Sequence, residues 1–166
     1  MTRRALVVTI SDGVGAGVRK DSSGELVRDR LIELGYDVHR GLVADETEQI
    51  QSLLTKLAPR YPLVVTTGGT GLTPRDVTPQ ATLAVIDYEV PGLAEAMRAA
   101  GRAITPLADL SRGVVGVRSG SLIVNLPGSP KGALESLAAL EPVLDHALET
   151  LAGPFDHGAG AAEDRS

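Results

Sequence analysis

The run Val64-Val65-Thr66-Thr67-Gly68-Gly69-Thr70-Gly71-Leu72-Thr73-Pro74-Arg75-Asp76-Val77-Thr78-Pro79 constrains this chain more than any other stretch. It opens on β-branched apolar residues suited to a buried strand. Glycines then occupy three of the next four positions. Lacking a Cβ, they let the backbone take positive φ and bring its amides against a ligand. Thr67, Thr70 and Thr73 add hydroxyls, Arg75 a guanidinium and Asp76 a carboxylate. Thr78 followed by Pro79 has the form of an N-cap and first helical residue, which predicts a helix start there. Strand, glycine loop and helix N-terminus gather anions, because unpaired N–H groups and the helix dipole converge on one point. A loop that served only to turn would not need this combination.

The flanking segments supply a frame. Residues 5–10 are almost continuously apolar, as in a central strand covered on both faces. A polar, glycine-bearing loop follows, then a helix capped by Ser22 or Ser23, with Val27, Leu31 and Leu34 at helical spacing and Gly35 at its end. Residues 36–43 read as a more polar edge strand, and residues 46–58 as a helix with Ile50, Leu53, Leu54 and Leu57 on one face, ended by Pro59. Strand–helix alternation of this kind predicts an α/β protein: a three-layer α/β/α sandwich around a doubly wound, mostly parallel sheet. Downstream, short helices are expected at 79–86 and 91–100. Apolar strands at 113–117 and 121–125 are joined through Ser119-Gly120 as a hairpin, which adds one antiparallel strand. The last helix is expected to pause near Leu140 and restart at Pro142. Residues 1–152 form a single domain on this reading, and the Gly/Ala-rich, polar residues 153–166 a disordered tail.

Aromatic residues make up only 2% of the 166, so the core must be built from Val, Leu, Ile and Ala. The absence of cysteine removes disulfides, thiol nucleophiles and thiolate metal sites. A net charge of −5 without a basic run argues against nucleic acid or an anionic membrane as partner. No segment approaches the roughly 18 apolar residues of a membrane span. A cytoplasmic location is the expectation. The P-loop, dinucleotide-binding, nucleophile-elbow and zinc-protease motifs are all missing.

Ligands of an open parallel sheet bind beyond the carboxyl ends of its strands. Four junctions fall there: Ser11-Asp12, Asp45, Gly68 to Asp76, and Asn125 to Lys131. Strands about 4.8 Å apart bring the first three within one small-ligand width. Two carboxylates so placed, Asp45 and Asp76, call for a cation, and Mg²⁺ held by carboxylates and substrate phosphates fits. With the glycine amides, Arg75 and Lys131, the set suits phosphoryl or nucleotidyl transfer. Taken singly, the same residues have simpler roles. Asp45 can cap a helix, Asp76 can cap or pair with Arg75, and Asp12 can hold a turn. Glu95 and Lys131 can be solvated surface charges. His39, His146 and His157 lack ligand spacing.

Several motifs together resemble the MogA/MoaB-type molybdopterin adenylyltransferases of molybdenum cofactor synthesis. They are Thr66-Thr67-Gly68-Gly69-Thr70-Gly71, Arg75-Asp76-Val77-Thr78-Pro79, Pro91-Gly92-Leu93-Ala94-Glu95, Leu110-Ser111-Arg112-Gly113 and Asn125-Leu126-Pro127-Gly128-Ser129-Pro130-Lys131. The resemblance runs from about residue 5 to residue 151. It implies a cytosolic homotrimer that transfers an adenylyl group from ATP to molybdopterin with Mg²⁺, releasing pyrophosphate. A downstream molybdate-inserting enzyme is the implied partner. Asp45 and Asp76 match the family's two important acidic positions and would hold the metal, with Arg75 neutralising charge on the transferring group. Substrate and nucleotide would meet Ser11, Asp12, Thr67, Gly68, Gly69, Thr70, Gly71, Thr78, Glu95, Ser111, Asn125, Pro127, Gly128, Ser129 and Lys131. A non-catalytic molybdopterin carrier and a trimeric scaffold of the same fold remain the alternatives. A valine at Gly69 is expected to block ligand approach while leaving the fold intact.

Overall fold

The computed structural model describes residues 3–154. Among them one sheet contains β1 (Arg4–Ile10), β2 (Asp37–Val43), β3 (Leu63–Thr67), β4 (Tyr88–Glu89), β5 (Val115–Arg118) and β6 (Ser121–Leu126), in the order β2-β1-β3-β6-β5-β4. Strands β2, β1, β3 and β6 are parallel, β5 is antiparallel to β6, and β4 is antiparallel to β5. Only β5 therefore runs against the others, as expected. The β5–β6 turn has Ser119 at φ 48° and Gly120 at φ 79°, two successive left-handed residues that match strand twist. The two-residue β4 is not anticipated by the sequence reading, because so short a strand carries no periodicity.

The helices are α1 (Asp12–Gly15), α2 (Ser22–Glu33), α3 (Thr47–Leu57), α4 (Thr78–Leu83), α5 (Pro91–Arg102) and α6 (Pro130–Ala152). They explain why β1 reads as an almost unbroken apolar sequence. Its Ala5 and Val7 join a core with Val27 and Leu31 of α2, Ala94 and Met97 of α5, and Leu137 and Leu140 of α6. Its Leu6, Val8 and Ile10 join a second core with Ile50 and Leu54 of α3 and Ala81 of α4. Each fully buried Val, Leu or Ile contributes about 1.5–3 kcal/mol. These two cores, not surface ion pairs worth about 0–1 kcal/mol each, fix the three layers.

The layers also position a crevice. Strands β1 and β3 are neighbours, yet α2 follows β1 onto one face of the sheet and α4 follows β3 onto the other. The chain parts at their carboxyl ends, which is the topological switch point where ligands of open α/β sheets bind.

Several local expectations are corrected. The N-cap of α2 is Asp21, whose carboxylate accepts from the Gly24 N–H at 3.1 Å, rather than Ser22 or Ser23. Thr78 does not cap α4: it is the first helical residue, after Val77, and α4 stops at Leu83 rather than 86. Pro59 lies inside a 3-10 turn, Ala58–Arg60, that extends α3. The helix α6 runs unbroken through Pro142. An interior proline costs about 3 kcal/mol, but Leu137, Leu140 and Leu144 on the same helix are all buried and outweigh it. Pro142 and Ala138, whose carbonyl loses its donor, are both exposed, so water can serve that carbonyl. The expected tail, apart from Gly153 and Pro154, lies outside the described residues, as does His157. No described helix is long and apolar enough to cross a membrane.

Candidate functional site

The glycine loop takes a conformation that other residues resist. Gly68 has φ 97° and Gly69 φ 68°. A Cβ at Gly68 would run into the Ile10 carbonyl, and one at Gly69 into Thr78 Oγ1, while also lying 3.2 Å from Asp45 Oδ1. Valine at Gly69 would therefore damage the loop itself, contrary to the expectation of an intact fold. Thr78 is fully buried and locks the turn: its Oγ1 donates to the Gly68 carbonyl at 2.9 Å and its N–H to the Gly69 carbonyl at 3.1 Å. Arg112 braces the outer part of the loop. Its N–H donates to the Thr70 carbonyl at 2.9 Å, and its guanidinium donates to the carbonyls of Gly71 at 2.8 Å and Asp76 at 2.7 Å.

The carboxylates cluster beside this loop. Asp12 and Asp45 bond reciprocally, the N–H of each donating to the carboxylate of the other at 3.0 Å. The pair thereby ties the end of β1 to the end of β2. Arg75 donates to Asp12 Oδ2 at 2.6 Å and to Glu46 Oε1 at 3.1 Å. This bonding to Arg75, with the Asp45 N–H second, holds the Asp12 carboxyl below its ordinary pKa. Asp45 moves the other way. Burial raises its pKa, the Asp12 N–H partly offsets this, and the charges of Asp12 and Asp76 push it up further. Asp45 does not cap α3, whose N-cap, Glu46, makes no side-chain capping bond. Asp76 Oδ2 accepts from the N–H and hydroxyl of Thr73, at 2.9 and 2.8 Å, so it neither caps α4 nor pairs with Arg75. A Cβ at Gly71 would come within 2.9 Å of Asp76 Oδ2.

Asp45 and Asp76 both line a cleft of about 610 Å³ at the switch point, with Gly68 to Gly71 between them and Ser11, Thr67 and Gly128 alongside. Among the described residues no three potential ligands group closely enough to hold a metal ion by themselves. The fit to Mg²⁺ rests on Asp45 and Asp76 with phosphate oxygens completing the shell, which is how this cation is commonly held. Burial is the main cause of the raised Asp45 pKa, with the charges of Asp12 and Asp76 adding to it, and a cation beside the carboxylate would offset both.

A second cleft of about 310 Å³ lies between α5, the 3-10 turn Pro106–Leu110 and the N-terminus of α6. Ala94, Met97, Leu107, Ala108 and Pro127 make it mainly apolar, and Ser111, Asn125 and Ser129 add polar groups. Arg98 braces its edge by donating to the carbonyls of Ser111 and Gly113 at 3.2 and 2.9 Å. Ser129 caps α6, accepting from the Gly132 N–H at 3.2 Å. The loop from Pro127 to Ser129 separates the two clefts, Gly128 facing the first and Pro127 and Ser129 the second.

The expected site residues divide accordingly. Ser11, Thr67, Gly68, Gly69, Thr70, Gly71, Asp45, Asp76 and Gly128 meet at the first cleft, and Ser111, Asn125, Pro127 and Ser129 at the second. Asp12 and Arg75 stand behind Asp45, outside the lining, so Arg75 is engaged with carboxylates rather than directed at a transferring group. Asn125 is 1% exposed and its amide is used within the fold. It donates to Thr66 Oγ1 and Thr82 Oγ1 and accepts from the Val114 N–H. Glu95 is exposed on α5 and lines neither cleft. Lys131 is exposed, with its ammonium 3.8 Å from Glu135, and it too lines neither.

Sequence reasoning misses Arg112 as the brace of the glycine loop. It also misses Thr9, Arg19, Lys20, Asp21, Ser22 and Ser23 as a wall of the first cleft. The last group is detectable in principle, since the loop after β1 also leaves a carboxyl end and runs into a helix N-terminus.

Residues 6–146 match the family described as a probable molybdopterin binding domain. The chain is 40% identical over 154 residues to the molybdopterin adenylyltransferase of Helicobacter pylori strain J99, an alignment covering 90% of this chain and 88% of that protein. It is 40% identical over 145 residues to the molybdopterin adenylyltransferase of Escherichia coli K12, covering 84% and 74%. Among solved structures it is similar to the molybdopterin biosynthesis enzyme MoaB of Thermus thermophilus, at 47% identity and TM-score 0.82, covering 90% of this chain and 96% of that one. The Mog protein of Mycobacterium ulcerans is similar at 39% identity and TM-score 0.85, covering 90% and 99%.

Proposed function

Because this chain belongs to the probable molybdopterin binding domain family, we propose that it is a molybdopterin adenylyltransferase of molybdenum cofactor biosynthesis. ATP and molybdopterin are its substrates, and adenylylated molybdopterin and pyrophosphate its products. The observation that carries this reading is the pairing of Asp45 and Asp76 across a positive-φ glycine loop in one cleft. Amides suited to phosphate and carboxylates suited to Mg²⁺ lie within reach of the same ligand.

A terminal phosphate oxygen of molybdopterin attacks the α-phosphorus of ATP. A new P–O bond forms, the bond from the α-phosphorus to the bridging oxygen breaks, and its electron pair leaves on pyrophosphate. The attacking oxygen is already anionic, so no side chain has to remove a proton, and catalysis is mostly positioning and charge neutralisation. The Gly69 to Gly71 amides and the Ser11 hydroxyl hold phosphate oxygens, the Gly68 N–H being taken by the Leu126 carbonyl at 3.1 Å. Asp45 and Asp76 would hold Mg²⁺, which would supply positive charge to offset that of the phosphates. Asp12 fixes Asp45, and Arg75 acts through Asp12 and Glu46. The second, more apolar cleft suits the flat pterin, whose faces need nonpolar contact and whose edges need a few polar partners.

The reading extends to a homotrimer in the cytoplasm that passes its product to a molybdate-inserting enzyme. Exposed Leu72, Leu83, Tyr88, Ile104, Leu107 and Leu110 support self-association, since so many large apolar side chains left in water favour contact. Light scattering at micromolar concentration should return three times the 17.2 kDa chain mass, and a monomer mass would remove the trimer. Incubating the purified protein with molybdopterin, ATP and Mg²⁺ tests the function. Adenylylated pterin and pyrophosphate should form together. Pterin binding without turnover would leave a carrier instead.

A further inference from the structure

The wall of the first cleft opposite the carboxylates is built from residues that the proposed mechanism leaves unused. Thr9 and Thr67 are register partners on β1 and β3 and so face the same side of the sheet, toward α2. Thr9 Oγ1 donates to Asp21 at 2.7 Å. Thr67 is 1% exposed, and its hydroxyl has no hydrogen-bond partner. Above them stands the N-terminus of α2, a helix of 12 residues. Ser22 and Ser23 line the cleft there, and Ser23 is only 8% exposed. The first amides of a helix lack partners within it and carry the positive end of its dipole. Arg19 and Lys20 line the same wall, and neither forms an ion pair among the described residues.

The nearest negative charge is already engaged. Asp21 accepts from Arg40, Thr9 and the Gly24 N–H, so its oxygens are turned into the fold and its charge is offset. The cleft is therefore polarised. Asp45 and Asp76 lie on the α3 and α4 side, while two unpaired cations, two serine hydroxyls and a helix N-terminus lie on the α2 side. The unpartnered Thr67 hydroxyl sits between them at the end of β3. A buried hydroxyl without a partner is costly, and a ligand oxygen would relieve that cost.

We infer that the N-terminus of α2, with Arg19, Lys20, Ser22, Ser23 and Thr67, forms a diphosphate subsite that receives the β- and γ-phosphates of the nucleotide and holds them as the pyrophosphate leaving group. The assignment rests on the nucleotidyl-transfer reading above. It adds to that reading protein cations that face the charge growing on the leaving group. It also accounts for the polarity of the cleft.

Calorimetry on the full chain with Mg²⁺-pyrophosphate and with AMP, beside steady-state kinetics in ATP, tests it. In the Arg19→Ala/Lys20→Ala variant, which alters only exposed side chains, the pyrophosphate Kd and the KM for ATP should each rise about tenfold or more while AMP affinity is unchanged. Ser23→Ala should move the same two quantities in the same direction by a smaller factor. Unchanged pyrophosphate affinity in both variants, no pyrophosphate binding to the wild type, or an equal loss of AMP affinity would each overturn the subsite. The parent reading fails separately. If the wild type binds pyrophosphate through these residues but forms no adenylylated pterin, adenylyl transfer is wrong and the subsite stands. If it forms the product and the double variant matches it in ATP KM and pyrophosphate affinity, the subsite is wrong and adenylyl transfer stands.

Discussion

The two clefts on either side of the Pro127 to Ser129 loop are built on opposite principles. The first is made of chain ends: the carboxyl ends of β1 and β3, a loop forced through positive φ, and charged groups held by one another. The second is made of helix faces, with Ala94, Met97 and Ala108 packed around a mainly apolar hollow and its one arginine turned onto backbone carbonyls. A site made of chain ends can aim amides and carboxylates at a charged centre. A site made of helix faces can shape itself to a flat molecule but has little charge to offer. On the proposed function, the difference places the reaction in the first cleft and recognition of the pterin in the second.

The strongest way to break this division is to neutralise the carboxylates. Asp45→Asn and Asp76→Asn should each lower adenylyl transfer by about 10²–10³-fold, the scale of a lost transition-state charge contact, while molybdopterin affinity stays near wild type. Turnover like wild type in both variants would remove the metal-carboxylate mechanism. Next in size is Gly69→Ala, which places a Cβ against Thr78 Oγ1 at φ 68°. It should cost at least about 1–3 kcal/mol of stability, read by thermal or denaturant unfolding, because this cleft depends on backbone conformation. An unchanged midpoint would show that the loop relaxes freely. A smaller and opposite effect is expected from Ala108→Phe, which narrows the second cleft. Molybdopterin affinity should fall by about tenfold, equivalent to about 1.4 kcal/mol, with the Kd for ATP unaltered. Loss of ATP binding instead would reverse the assignment of the two clefts.

The smallest effect is a control outside both clefts. Arg30 of α2 donates to Glu141 of α6 through two bonds of 2.8 Å. This bonding lowers the Glu141 carboxyl below its ordinary value of 4.5. A depressed carboxylate contributes stability above its unfolded pKa and loses it as pH falls through the folded one. Glu141→Gln should therefore cost under about 1 kcal/mol at neutral pH, since the pair is part-exposed. The gap between variant and wild type should close on acidification below about pH 4, with both ligand affinities untouched at neutral pH.

These differences in construction also decide what can be read in the sequence. Strands β1, β3 and β6 are legible because residues covered on both faces must be mostly apolar, and Asp45 and Asp76 are legible as cleft residues because both lie on loops that leave the carboxyl ends of strands. The braces are not. Arg112 lies 41 residues from the Gly71 carbonyl it holds, and an arginine's sequence neighbours do not reveal so distant a partner. Asp21 escapes notice because Ser22 and Ser23 beside it are equally good caps by residue type, and only the Thr9 and Arg40 contacts favour the aspartate. Asn125 reads as a ligand contact because it sits at a strand end, but its neighbours Thr66 and Thr82 claim its amide first.

The sheet's two borders have a consequence for how molecules of this protein meet. An exposed strand edge offers unpaired N–H and C=O groups to any other extended chain, and long apolar edges seed aggregation. Here one border is β4, only two residues long and so able to template almost nothing. The other is β2, seven residues long but carrying Asp37, His39 and Arg40, with Arg40 drawn across to Asp21. Strand addition is thus discouraged at both borders, one by shortness and the other by charge. The self-association proposed above would therefore run through helices and loops rather than through the joining of sheets.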